Sequence, residues 1–277
     1  MLARSLGQTG MTVSPIGFGS VKIGRNQGTK YGNFAIPSDR EAERLLRGIL
    51  DLGINLIDTA PAYGLSEERI GRLLADQRQN YLLSTKVGES FVEGHSHYDF
   101  SPSAIEKSLA QSLRQLRTDY VDIVLIHSHG RDHEVLKTTD LVETLQILRD
   151  KGWARAIGFS GKIPAEEIQC LDWADVMMVE YHAQDATHAN TIDQAKERGV
   201  GVLIKKGLDS GQLSPKRAIE HVLANQGVGA LVIGGLSLNH FKENCRIATE
   251  LASCAEHRPP QPNTQSFPSP KVTLHRE

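Results

Sequence analysis

Three ionisable residues fall where short apolar runs end, Asp58, Lys86 and His127, and Tyr63 follows the aspartate by five positions. Taken singly, each has a plain structural reading: a loop cap, a solvated strand end, a hydrogen-bonded core histidine, a packing ring. Taken together they describe acid–base chemistry. A free phenol titrates near ~10 and is a poor acid at neutral pH. An ammonium from Lys86 beside Tyr63 stabilises the phenolate, which makes the phenol proton easier to give. Asp58 paired with Lys86 keeps that ammonium charged despite burial. His127 can donate a hydrogen bond to a carbonyl oxygen or relay a proton to Tyr63. The set suits proton delivery to an oxygen that becomes an alkoxide, the half of carbonyl reduction that a hydride donor cannot supply.

Such residues converge only if the intervening elements bring them to one end of a sheet. Strand candidates lie at 15–20, 54–58, 81–86, 121–127, 155–160, 175–181, 201–205 and 230–234. Several are apolar almost throughout, as expected of strands covered on both faces of a parallel sheet. Helical patterns lie between them. Ala42, Leu45, Leu46, Ile49 and Leu52 make one apolar stripe that stops at Gly53, and Ser38 with Glu41 is spaced as a capping box. Ile105, Leu109, Leu113 and Leu116 make a second, begun by Ser101 and Pro102, and Ser214–Pro215 repeats that start signal. Further helices are expected at 66–76, 134–151, 164–171, 185–198 and 238–253. Eight strand–helix units predict an α/β fold, a single (β/α)8 TIM barrel. The rival doubly wound sheet lacks its Gly-rich phosphate turn, because Gly17-Phe18-Gly19 has no third glycine at the required spacing. Residues 6–13 read as a short N-terminal β-hairpin able to plug the barrel bottom. The expected organisation is one barrel domain over 1–255 and an extended or disordered tail over 256–277, where five of the 11 prolines fall.

Composition excludes more than it assigns. A formal charge of −2 gives no electrostatic case for nucleic acid or an anionic membrane. No apolar stretch approaches the ~20 residues that span a bilayer, and residues 1–3 carry no signal-peptide core. Three cysteines without a CxxC pair suit a reducing, cytoplasmic setting. Eleven histidines raise a metal-hydrolase reading at His95, His97, His127, His129 and His133. No carboxylate–histidine spacing at the later strand ends completes such a site, so no metal is expected. Residues 89–100 are expected to form a loop walling the substrate pocket, with Phe91, Tyr98 and Phe100 as apolar walls, whereas Trp153 and Trp173 read as packing.

The run Ile54-Asn-Leu-Ile-Asp-Thr-Ala-Pro-Ala-Tyr-Gly-Leu-Ser-Glu-Glu resembles the signature of the aldo-keto reductase family. Residues 1–19, 84–86, 119–127, 152–160 and 232–244 match further family blocks in order, so the resemblance covers roughly 4–250. It implies a barrel that binds a nicotinamide cofactor across its C-terminal face, NADPH ahead of NADH, and passes hydride to a small-molecule aldehyde or ketone. Tyr63 is then the general acid, tuned by Lys86 and Asp58, and His127 orients the carbonyl.

The same resemblance nominates cofactor contacts, and here the chain departs from the pattern. The family's serine–asparagine pair at the nicotinamide carboxamide is Ser160-Gly161, its glutamine is Glu180, and a tyrosine that stacks on the nicotinamide in many members is replaced at Lys205-Lys206. Ionised glutamate accepts hydrogen bonds but cannot donate them. Leu208, Ser210 and Gly211 belong to the expected pyrophosphate loop. Gly234 and Ser237 lead into a helix whose N-terminus can hold phosphate. His240 and Lys242 are the candidates for a 2′-phosphate, and Asn244 for adenine. These departures motivate an alternative, a nicotinamide-nucleotide-binding sensor or accessory subunit with weak turnover. With only a tail beyond the barrel, the pocket is expected to be open and broadly specific; the sequence does not give the oligomeric state.

Overall fold

The computed structural model describes residues 1–29, 34–137 and 140–256. Two short strands, β1 (Arg4–Ser5) and β2 (Thr12–Val13), open the chain as an antiparallel hairpin. There follow β3 (Ile16–Gly19), α1 (Asp39–Asp51), β4 (Leu56–Asp58), α2 (Ser66–Leu73), β5 (Leu82–Val87), β6 (Glu89–Val92), β7 (His95–Tyr98) and α3 (Pro102–Leu116). The second half runs β8 (Val121–His127), α4 (Asp132–Leu136), α5 (Leu141–Asp150), β9 (Ala154–Ser160), α6 (Pro164–Cys170) and β10 (Val176–Glu180). It ends with α7 (Ala189–Glu197), β11 (Gly201–Lys205), α8 (Pro215–Ala224), β12 (Ala230–Gly234) and α9 (Leu238–Glu256). Strands β3, β4, β5, β8, β9, β10, β11 and β12 close into a parallel barrel in that order, with β12 paired back to β3. The expected (β/α)8 barrel and N-terminal hairpin are both present.

Side chains alternate along each strand, and the alternation explains the position of every polar strand end. One core cluster, inside the barrel, joins Leu56, Ile123, Leu125, Ala156, Val176, Met178, Leu203 and Ala230 to Leu6, Met11 and Val13 of the hairpin region. The hairpin thus closes the barrel bottom with apolar side chains. Two residues beyond the last apolar member on each strand, the same inward face carries Asp58, His127, Glu180 and Lys205. The inward positions of β5, β9 and β12 similarly end at Lys86, Ser160 and Gly234. The larger cluster, including Ile16, Phe18, Leu46, Ile57, Val124 and Phe159, packs strands against the surrounding helices.

Local differences from the sequence expectation have identifiable causes. The helix expected over 134–151 is divided into α4 and α5. Buried Asp132 ties the first piece down, since its carboxylate accepts from Ser128 Oγ and from the amides of Lys162 and Ile163. Helix α7 starts four residues later than expected, because Asp185 Oδ1 accepts from the amide and hydroxyl of Thr187 and holds a turn there. Residues 89–98 form the hairpin β6–β7, where a plain loop was expected. Its two-residue turn, Glu93-Gly94, has φ of 51° and 84°, the doubly positive geometry that matches strand twist. Of the expected tail, Glu256 ends α9 and the remainder lies outside the described residues. Among the described residues no helix is long and apolar enough to cross a membrane.

Gly158 shows how tightly the barrel is closed. A Cβ there would sit 1.7 Å from the carbonyl oxygen of Val176 on β10. Gly158→Ala is expected to cost about 3 kcal/mol or more, the upper range for overpacking, as read by urea unfolding. Wild-type stability in that variant would show that β9 and β10 are not in this register.

Candidate active site

The inward strand ends meet at the C-terminal mouth. Lys86 is almost fully buried, and its Nζ lies 2.7 Å from both oxygens of Asp58 and 2.9 Å from the carbonyl of Thr59. Ser84 Oγ donates to Asp58 Oδ1 at 3.0 Å. A charge-assisted pair with this many partners is the arrangement that allows an ammonium to stay inside a barrel. Tyr63 closes a short 3₁₀ turn, Pro61–Tyr63, after β4. The Lys86 ammonium is 5.0 Å from the centroid of its ring. The Tyr63 and His127 rings meet edge to face with centroids 6.1 Å apart.

These four side chains line one cavity of about 210 Å³ together with Ser160, Glu180, Lys205 and Gly234. Eight of the residues nominated as catalytic or cofactor-binding therefore share a single space. Leu208, Gly211, Ser237, His240 and Asn244 do not line it. Ser237 stands at the start of α9, where its Oγ accepts from the amide of His240 at 3.4 Å. His240 and Lys242 are exposed on the first turns of that helix, and Asn244 is buried one turn further on.

Several residues of the site were not anticipated from the sequence. Lys162, Val21 and Met178 line the cavity beside Lys206 of the Lys205-Lys206 pair. An adjoining cavity of about 180 Å³ shares Val21, Tyr63, His127 and Lys206 with it and adds Arg25, Gly28, Thr29, Glu89 and Ser210. Glu89 Oε2 is 2.8 Å from Nδ1 of His127. Burial opposes ionisation of Glu89, but His127, Ser96 and Arg25 prevail and hold its carboxyl well below the usual range. His127 is itself lowered: burial is the main cause, Lys86 and Lys205 add to it, and Glu89 opposes. Neutral imidazole beside ionised glutamate is the resulting state at pH 7. Glycine at 94 after Glu93 is a weak turn signal, too weak to reveal the hairpin that carries Glu89 to the mouth.

The nominated aromatic walls are elsewhere. Phe91 carries the Arg25 guanidinium on its face at 3.4 Å. Tyr98 and Phe100 stack at 6.4 Å, with His129 edge-on to both. None of the three lines either cavity. Phe91 is drawn to a fixed cation, and Phe100 fills the space above Gly88, where a Cβ would meet its ring at 2.4 Å. Trp153 and Trp173 pack against the core. Among the described residues no three His, Cys, Asp or Glu side chains are grouped to hold a metal.

The three departures from the family pattern form a connected set. Lys205 Nζ donates to Ser160 Oγ at 3.1 Å and to the carbonyl of Gly161 at 2.5 Å. Burial pushes its pKa down to about 8. Lys206 pairs with Glu180, whose carboxyl is held down by Lys206 and Lys205 against its burial. Gly161 is enclosed: a Cβ would lie 2.5 Å from the Phe159 ring and 2.7 Å from Glu167. Asparagine at this position would clash. Beyond β11, Lys206, Asp209 and Ser210 all have positive φ, 55°, 44° and 55°. Each such residue costs about 1 kcal/mol or more and persists where the surroundings enforce it, commonly at ligand clamps.

Comparison with known proteins agrees with this geometry. The model of the Aldo/keto reductase family matches residues 15–226. L-galactose dehydrogenase of Arabidopsis thaliana is 30% identical over 300 residues, covering 90% of this chain and 89% of its own. NADH-specific methylglyoxal reductase of Escherichia coli is 29% identical over 229 residues, 76% of this chain and 68% of that one. A solved structure from Pseudomonas aeruginosa, reported under the aldo-keto reductase name, superposes with a TM-score of 0.85 at 41% identity, covering 91% of this chain and 95% of that one. The matched region spans seven of the eight barrel strands, from β3 to β11, and the chain belongs to the aldo/keto reductase family of nicotinamide-dependent oxidoreductases.

Proposed function

We propose that the protein reduces small aldehydes or ketones to alcohols with NADPH, Tyr63 serving as general acid. The observation that carries this reading is the Lys86 ammonium, held between both Asp58 oxygens and set 5.0 Å from the Tyr63 ring in the cavity that His127 also lines. The nicotinamide supplies a hydride when bound. The protein supplies the proton. Tyr63 gives it to the carbonyl oxygen, the ammonium stabilises the phenolate left behind, and Asp58 holds that ammonium in place. The reverse reaction uses the same residues, with tyrosinate as base.

Residues present at the mouth fit such a cofactor. The Ser160 hydroxyl and Lys205 ammonium supply donors and the Glu180 carboxylate an acceptor, the complement of a carboxamide. Lys205 stands where it can replace the amide that Gly161 lacks. Leu208, Ser210 and Gly211 belong to a tight loop with repeated positive φ at the cavity edge, where Ser210 lines the adjoining cavity. Ser237 at the start of α9 offers a second phosphate site. The exposed Lys242 and His240 support NADPH ahead of NADH, although one relative is named as NADH-specific.

The walls beside Tyr63 and His127 are mostly polar or charged, which favours small hydroxylated carbonyls over aromatic ones. The relative named for L-galactose acts on a compound of that kind. Absorbance at the NADPH band, followed with hydroxylated, aliphatic and aromatic carbonyls, tests both points. Turnover with hydroxyaldehydes above aromatic aldehydes is expected. Tight NADPH binding with no turnover of any carbonyl would overturn the reductase reading, and a single substrate favoured by orders of magnitude would overturn the open pocket.

A further inference from the structure

We propose that Glu89 is a positioning residue for this reaction: its carboxylate accepts a hydrogen bond from Nδ1–H of His127, so that the imidazole offers Nε2 to the cavity for proton exchange with Tyr63. The role rests on the reductase reading above, whereas the contact rests on geometry. Glu89 opens β6 and its side chain is only 9% exposed. One carboxylate oxygen is 2.8 Å from His127 Nδ1, and the other accepts from Ser96 Oγ at 2.6 Å across the hairpin. The hairpin root is fixed by Gly88, at φ 97° with the Phe100 ring packed against it. The glutamate therefore has one oxygen tied to its own hairpin and the other aimed at β8. At this distance the contact still lacks hydrogen-bond alignment at Nδ1, so the proposed bond needs a small reorientation of the imidazole.

The consequence follows from imidazole chemistry. A neutral ring has one N–H, and which nitrogen bears it is set by the partner of the other. With Nδ1–H turned to a carboxylate, Nε2 keeps its lone pair and accepts a proton. In reduction, Tyr63 gives its proton to the substrate oxygen; Nε2 of neutral His127 then takes a proton from solvent and passes it to the tyrosinate. Glu89 stays ionised throughout. The groups facing His127 are the Tyr63 ring, the Lys86 and Lys205 ammonium groups and Glu89. Two cations oppose the imidazolium, and Glu89 is the anion that offsets them. Without it, His127 faces the two ammonium groups with no anion beside it and takes up a proton less readily near neutral pH.

The test compares wild type with Glu89→Gln, which keeps the shape and the Ser96 contact but removes the charge and can present either donor or acceptor to Nδ1. Imidazole ¹⁵N NMR, with His127 assigned by a His127→Asn control, reads tautomer and titration in the protein without substrate. The wild type is expected to show the Nδ1–H form, and Glu89→Gln a mixture with a lower midpoint. In kcat/KM for carbonyl reduction, the limb that follows His127 protonation is expected to move to lower pH by about one unit. kcat at neutral pH should fall roughly tenfold or more with KM changed less than about twofold, as for a lost proton-transfer partner. Glu89→Asp should restore part of the profile. An unchanged tautomer and pH profile in Glu89→Gln, or a raised KM alone, would overturn the assignment. A wild type that turns over no carbonyl would instead overturn the reductase reading, with the NMR still deciding whether Glu89 holds His127.

Discussion

Tyr63→Phe is expected to lower kcat for carbonyl reduction by about 10²–10⁴-fold, the range for losing a positioned acid, while NADPH binding followed by fluorescence stays near wild type. The substitution removes one oxygen. The ring remains to meet His127 edge-on and to lie 5.0 Å from the Lys86 ammonium, so the packing and charge arrangement of the cavity persist. What disappears is the proton that meets the developing alkoxide, and an alkoxide formed without it is disfavoured by the difference in acidity between the alcohol and the phenol that would have protonated it. Because the loss falls on an interaction made only as the oxygen gains charge, kcat and kcat/KM should fall together. Full turnover in this variant would remove Tyr63 from the chemistry, and His127 would become the acid to test next.

The barrel was legible because its strands are buried on both faces. Runs such as Val121–His127 have apolar side chains pointing both to the helices and to the barrel axis, and such runs stand out from their amphipathic neighbours. Alternation also places the cavity residues: once an inward apolar series is followed to its last member, the next inward position is Asp58, His127, Glu180 or Lys205, the last two of which were named only through the family resemblance. What alternation cannot show is anything carried by a connection. The β6–β7 hairpin has Glu93 where asparagine or aspartate is usual for its turn, and its strands carry mixed polar residues because it lies across the mouth rather than in the core. Glu89 was hidden with it. Phe91, Tyr98 and Phe100 illustrate the reverse error: aromatic rings in a loop near a pocket suggested walls, but a cation, a neighbouring ring and a glycine-sized gap claimed them. The division of α4 from α5 was equally hidden, since it depends on Asp132 reaching amides of Lys162 and Ile163 about thirty residues away.

Asp58→Asn is expected to destabilise the fold by about 3–5 kcal/mol, the usual consequence of leaving a buried charge without its partner. For a chain of this size that corresponds to a Tm lower by roughly 10 °C or more. The asparagine still accepts from Ser84, so the loss is specific to Lys86, whose ammonium keeps only the Thr59 carbonyl and one amide oxygen. Activity should fall as well, because an ammonium no longer fixed between two oxygens cannot stabilise the phenolate in a defined place. The two effects separate in the double variant Asp58→Asn with Lys86→Met. Removing both charges should return most of the stability, since an apolar side chain of similar length can lie beside Leu125, the partner of Lys86 on β8. It should return none of the activity, because nothing cationic then faces Tyr63. Urea unfolding and carbonyl reduction measured on all four proteins complete the cycle. If Asp58→Asn were as stable as wild type, Lys86 would not be the charge that Asp58 holds in the barrel. A double variant that regained turnover would show that the pair packs the mouth and leaves the proton chemistry to Tyr63 and His127 alone.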